Sequence, residues 1–428
     1  MKGRLTLGLL SPLIAIALSL CFLGVLLYKR VSLGITLTAT VLFLGFLALN
    51  WQSIPNMAYT TVDPSTVDGV LALSVILATF GIMWLSQLYK ETGEIAKLSE
   101  SVSGLVKNTK IVLSTLPALI GFLPVSGGAL MSAPLVDTEG EKLKLPPEKK
   151  AFINHWFRHT IFPVYPLSQI LIITAALTRV PLFSILLLQI PTVAVMVAVG
   201  FLIGFRETPS QTVEAETEKP NKILKFKEFV SAFSPILTTI VVAVLMNIIN
   251  PELSKLGLDV LTATFAGLAF LAITSRLNPK TFVKPLRGWG IYDVTLAAYG
   301  AFLLRNIMKA AGIAEIFQPL ASNGQGANIL VLLTVIPMGL GFLMGSPSGA
   351  IALSVSILAD VLTFTSKTSA LLYISAYLGY TLGPTHLCFT FTANYFKTSL
   401  GKIYKYLIPS FIATFAAALT VYFAPLSI

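Results

Sequence analysis

Three histidines and one arginine stand where an apolar chain has least room for them. His155, Arg158 and His159 fall in the run HWFRHTIFPVYP, and His386 falls in GPTHLCFT half a chain later. Ionisable groups inside a membrane-spanning stretch are expensive to bury and are functional candidates by default. Arg158 presents paired donors in a planar fork, which suits a substrate carboxylate. Its place early in its span also allows it to snorkel to the headgroups. His155 and His159, at i and i+4, share a helix face in the manner of a zinc helix. The intervening Glu of a metalloprotease helix is missing and no third ligand stands nearby in the sequence, so no metal is expected. Two readings stay open for these rings and for His386: protonation near neutral pH, or a bond to a backbone carbonyl.

A second set of candidates carries no charge. Gly121 to Ala133 reads GFLPVSGGALMSA and Gly341 to Ser354 reads GFLMGSPSGAIALS, two copies of one pattern half a chain apart. Ser126, Gly127 and Gly128 in the first, and Ser346, Pro347, Ser348 and Gly349 in the second, combine hydroxyls with residues that turn backbone N–H and C=O groups toward a ligand. Once, such a stretch would read as close helix packing. Twice, at matching places, it reads as a binding site. Pro163 and Pro384 occupy corresponding places in the span after each copy, where proline removes a backbone donor and opens the helical ladder. Thr385, His386 and Asn394 lie around the second of these breaks. Asp137 and Asp360 close the two copies and read as helix terminators rather than ion-coupling groups.

These residues need an apolar scaffold, and the composition supplies one. Apolar residues make up 55% of the 428 residues, charged residues 11%, and the mean hydropathy is +0.82. The fold class is all-α and polytopic, in the membrane. The run from Leu5 to Tyr28 exceeds a signal-peptide core and ends in Lys29 and Arg30, so it reads as the first span. Hydropathy lays down about ten spans and two hairpins, 111–136 and 329–364, each half having three spans, a hairpin and two spans. In lipid, interrupted backbone survives only against protein or a wet cavity, so the hairpins read as re-entrant. Five crossings per half is an odd number, which makes the halves an inverted pair, 1–206 and 229–428, joined by a polar linker at 207–228. The stretch Glu91 to Lys110 reads as an amphipathic helix on the cytoplasmic surface.

Charge sets the orientation. Of the 30 Lys and Arg, all but Lys2, Arg4, Arg158, Arg179, Lys255, Arg305, Lys309 and Lys367 fall on one side when the termini are placed outside. The first hairpin then enters from the cytoplasm and the second from outside. The net charge of +11 is this loop bias, and no basic run interleaved with exposed aromatics suggests nucleic acid. Cys21 and Cys388 lie in apolar runs and indicate no disulfide framework. No Walker loop is present, so ATP hydrolysis is not the energy source.

With GFLPVSGGALMSAPLVD followed by HWFRHTIFPVYP, the chain resembles the ion transporter superfamily, which includes divalent-anion/sodium symporters and gluconate permeases. More closely it is similar to an uncharacterised prokaryotic integral-membrane family, a domain of unknown function, placed in that superfamily. The resemblance implies paired re-entrant hairpins, an elevator-like moving domain, frequent homodimers and cation-coupled uptake of organic anions. It places ligand and cation at Ser126 to Gly128 and Ser346 to Gly349. Neither tip has the Asn that the divalent-anion type carries. The expectation is a secondary transporter in a prokaryotic plasma membrane, not an enzyme, with no cofactor, a small organic anion as substrate and Na+ or H+ as coupling ion. The alternatives are an intramembrane metalloenzyme built on His155, His159 and His386, and a channel with a fixed hairpin filter.

Overall fold

Backbone in hydrocarbon must bond within its own segment, so apolar runs become helices, and among the described residues every regular element is helical. The computed structural model describes residues 9–106, 108–122, 128–208, 222–312, 326–359 and 361–425. The first half holds α1 (Pro12–Tyr28), α2 (Leu33–Ala48), α3 (Ile54–Thr60), α4 (Val67–Glu91), α5 (Glu94–Leu105), α6 (Thr109–Gly121), α7 (Ala129–Lys142), α8 (Pro147–Arg158), α9 (Gln169–Thr178) and α10 (Leu182–Gly204). The second holds α11 (Lys222–Ile249), α12 (Pro251–Lys255), α13 (Leu258–Thr274), α14 (Pro279–Val283), α15 (Trp289–Ala310), α16 (Gly326–Met344), α17 (Pro347–Leu358), α18 (Ser366–Leu382), α19 (Leu387–Tyr395) and α20 (Leu400–Phe423).

Among the described residues five stretches are long and apolar enough to cross a membrane: α4, α10, α11, α20, and α8 with α9 taken together as Pro147–Thr178. Shorter apolar helices, among them α1, α2, α6, α13 and α17, accompany them. Large apolar side chains such as Leu18, Leu187, Ile190, Leu245 and Ile412 point outward, as a lipid-facing surface requires. The chain is an all-α polytopic membrane protein.

Helix packing in the second half repeats that of the first, crosswise. α2 packs on α15 and α13 on α4; α6 packs on α8 and α16 on α18; α7 packs on α19 and α17 on α9; α10 packs on α18 and α20 on α8. α4 meets α15, and α10 meets α20, as self-matching pairs. Small residues allow the closest of these approaches: a Cβ added at Gly341 on α16 would strike the Ala376 carbonyl on α18, and one at Gly379 on α18 would strike the Met338 carbonyl on α16.

The helix pairs α6 with α7 and α16 with α17 fall in the two stretches expected as hairpins, with shifted ends. α6 has 13 residues and α7 has 14. At 1.5 Å per residue each arm reaches only about 20 Å, against a hydrocarbon core of about 30 Å. α7 runs on to Lys142, past the expected end at Val136, because Glu139 pairs with Lys142 on its last turn at 2.7 Å. Asp137 therefore lies within α7 rather than at its end, 2.8 Å from the Lys150 ammonium. α11 already includes Lys222, inside the stretch expected as linker. The amphipathic run forms α5, whose Leu98 and Val102 pack with Val112, Leu116 and Ala232, so its apolar face covers protein.

Candidate functional site

The site is built where the two proline-broken spans cross. Between α8 and α9 the helix opens from His159 to Ser168, with Pro163 in a short 3-10 turn (Phe162–Val164). Between α18 and α19 it opens from Gly383 to His386, around Pro384. Each broken helix end strands carbonyls that need donors. Each half supplies donors to the other. Tyr377 on α18 donates its hydroxyl to the His159 carbonyl at 2.7 Å, and His155 on α8 donates from Nε2 to the Thr381 carbonyl at 2.9 Å. Tyr404 on α20 closes the Leu382 carbonyl at 2.6 Å.

This reciprocal capping draws three imidazoles together. His155 and His159 have ring centroids 4.6 Å apart, and His386 lies 5.2 Å and 4.8 Å from them. All three are buried, at 0%, 1% and 2% exposure, and one ring nitrogen from each falls within 4.8 Å of the others. His159 donates from Nδ1 to the His155 carbonyl at 2.6 Å. A carbonyl can only accept, so in the neutral rings the hydrogens sit on Nε2 of His155 and Nδ1 of His159. The lone pairs are then Nδ1 of the first and Nε2 of the second. Nδ1 of His155 and both nitrogens of His386 make no hydrogen bond of normal geometry among the described residues. Tyr380 stacks on His386 with centroids 3.8 Å apart.

Arg158 is buried at 2% exposure, so its guanidinium does not reach out to the headgroups. It packs against the first hairpin: a Cβ on Gly128 would collide with its Nη2, and a Cβ on Gly121 would stand 2.5 Å from its backbone oxygen. The ends of α6 and α7 thus clasp this one residue. Its charge acts on all three imidazoles. The second hairpin stands on the second break in the same way. Gly345, at φ +60°, turns the chain between α16 and α17, and a Cβ there would stand 2.6 Å from the Thr385 carbonyl. Thr385 donates its hydroxyl to the Phe342 carbonyl at 2.9 Å. Ser346 caps α17 by accepting from the Gly349 N–H at 3.3 Å, while Ser348 is half-buried.

Among the sequence candidates the structure therefore brings together His155, Arg158, His159 and His386, with Gly128 against Arg158 and Thr385 beside His386. Asn394 is apart: it is exposed, and eight residues of α19 put it about 12 Å along the helix from His386. Ser126, Gly127 and Asp360 lie outside the described residues.

Several partners of the site were not singled out from sequence. Asn154, fully buried on the face it shares with Arg158, donates to the Ala129 carbonyl at 3.0 Å and to Thr392 Oγ1 at 3.2 Å. It joins the second arm of the first hairpin to α19. Its signal was a lone amide four residues before Arg158 in an apolar run. Tyr377 and Tyr380 gave none, because tyrosine in a span reads as interface or packing. A cavity of about 20 Å³ between α1, α2 and Met344 is lined by none of the histidines, and it has room for no more than a water or so.

A solved structure of Neisseria gonorrhoeae MtrF, described as illuminating a class of antimetabolite efflux pumps, is similar to this chain in fold. It has a TM-score of 0.53 at 12% identity, over 87% of this chain and 83% of that one. No curated protein gives a significant match. The family described as "Protein of unknown function (DUF401)" matches residues 9–424, and the chain belongs to that family.

Proposed function

We propose that the protein is a secondary active transporter of a small organic anion, coupled to H+ or Na+, in which the hairpins and broken spans move against the remaining helices in an elevator-like cycle. The observation that carries this reading is the placing of Arg158. A buried guanidinium sits at the end of a broken helix, and a glycine hairpin whose arms are too short to cross the bilayer holds it. A cation so placed recognises an anion by charge-assisted bonds, and two opposed hairpins offer the site to each face in turn. The crosswise repetition of helix packing supports 1–206 and the part from α11 onward as an inverted pair, joined by the segment between them. The likeness in fold to a protein described as an efflux pump agrees with a carrier.

In this reading Arg158, Gly128 and the tip residues Ser126 and Gly127 hold the anion from one side. Ser346, Ser348, Gly349 and Thr385 approach from the other. The chain sits in a prokaryotic plasma membrane with both termini outside, and homodimers fit an elevator scaffold. The test is flux in proteoliposomes across a panel of carboxylates and sugar acids, under imposed Na+ or H+ gradients. Saturable uptake that follows one of the gradients is the expected result. Transport indifferent to collapse of both gradients would exclude the coupling, and rates that do not saturate would point to a channel.

A further inference from the structure

We propose that His155, His159 and His386 together bind one divalent transition-metal ion of the zinc class, at the crossing of the two broken spans. The three rings come from two halves of the chain, and the structure brings together the set that the sequence offered only as an alternative. Zinc takes imidazole nitrogen at about 2.0–2.1 Å, and three ligands with an open position is a recurrent arrangement for it. A ligating histidine commonly donates its other ring N–H to a backbone carbonyl, which fixes the tautomer and aims the lone pair. His155 does so to Thr381 and His159 does so to His155.

The unbonded nitrogens carry the inference further. Buried polar atoms are nearly always paired, and those that are not call for a water, an ion or a chemical role. His386 leaves both ring nitrogens without a bond of normal geometry, and His155 leaves Nδ1. Two nitrogens on one tetrahedral zinc stand about 3.3 Å apart, and the ligand atoms here span up to 4.8 Å. A small rotation of His386, whose ring nitrogens make no bond of normal geometry, would close the gap against its Tyr380 neighbour. Among the described residues the cluster holds no carboxylate, and Arg158 adds positive charge, so the ion keeps an anion in its remaining position. Only this last step rests on the carrier reading.

The test uses full-length protein purified without a polyhistidine tag. Metal content is measured after equilibration with Zn2+ and gel filtration, and Co2+ is titrated with visible absorption as the readout. About one ion per chain and the intense absorption of tetrahedral Co2+ are expected. His386→Ala should weaken binding by at least about 100-fold, the upper end of what outer-shell changes alone produce. His386→Cys, which restores a soft ligand, should regain it. Acetate should alter the Co2+ spectrum, and an unchanged spectrum would overturn the open position. Folded wild-type protein that retains no zinc and shows no such absorption would overturn the site, with no variant needed. None of these readouts measures flux, so a failed metal site leaves the transport reading standing, and a failed flux assay leaves the metal site standing.

Discussion

Arg158 and Gly128 touch so closely that the arginine's guanidinium fills the space a Cβ on the glycine would need. The same arginine's backbone carbonyl faces Gly121 at the other end of the hairpin opening. The two glycines therefore do different work. At Gly121 the obstacle is fixed backbone, and Gly121→Ala should destabilise the fold by about 1–3 kcal/mol, the ordinary cost of overpacking. At Gly128 it is the tip of a flexible side chain, which can swing aside. Gly128→Ala should leave thermal unfolding in detergent nearly unchanged, yet lower anion affinity about 10- to 100-fold, the worth of one charged hydrogen bond. Equal loss of stability in both variants would show that Gly128 serves packing alone.

A sharper probe of the same group keeps its charge. Arg158→Lys preserves a cation at the position but loses the planar fork and the second donor. If the anion is held by paired bonds, anion-dependent thermal stabilisation should weaken about 10- to 100-fold, with the fold intact. A lysine variant that binds anions as tightly as the wild type would mean that Arg158 acts as a point charge only.

The helices and the two interruptions were legible because each depends on contiguous residues. Gly, Ser and Pro within an apolar run break a helix wherever it lies. The shift at Lys142 arose because charged residues extend helices once they find partners such as Glu139. The meeting of His386 with His155 entered the sequence reading only as an alternative, since it depends on how two spans from different halves cross. The capping by Tyr377 and the bridge from Asn154 belong to the same class. Asn394 illustrates the converse: nearness to Pro384 in sequence suggested nearness to the site, but the rise of α19 carries it away along the helix.

Asn154 gives a stability prediction with a named mechanism. Its amide donates to the Ala129 carbonyl and to Thr392, both buried, and joins the first hairpin to α19. Asn154→Ala removes both bonds and should cost about 1–3 kcal/mol, at about 0.5–1.5 kcal/mol for each. The loss should appear as faster thermal inactivation in detergent. Asn154→Asp removes the donor while keeping the volume, so it should be at least as damaging. An alanine variant as stable as the wild type would show that water replaces the bridge.

The opposed entry of the two hairpins admits a direct chemical test. With Cys21 and Cys388 replaced, single cysteines are placed at Lys142, exposed at the end of α7, and at Thr363, exposed between α17 and α18. In the proposed topology α6 and α7 open toward the face that carries Lys142, and α16 and α17, joined at Gly345 and Ser346, open toward the face that carries Thr363. If the hairpins enter from opposite sides, a membrane-impermeant maleimide applied to intact cells labels the Thr363 cysteine alone, and permeabilisation exposes the one at Lys142. The excess of Lys and Arg around the first hairpin sets which of the two is inside. Labelling of both from the same side would mean that the halves run parallel, and a site served by two facing hairpins would have no structural basis.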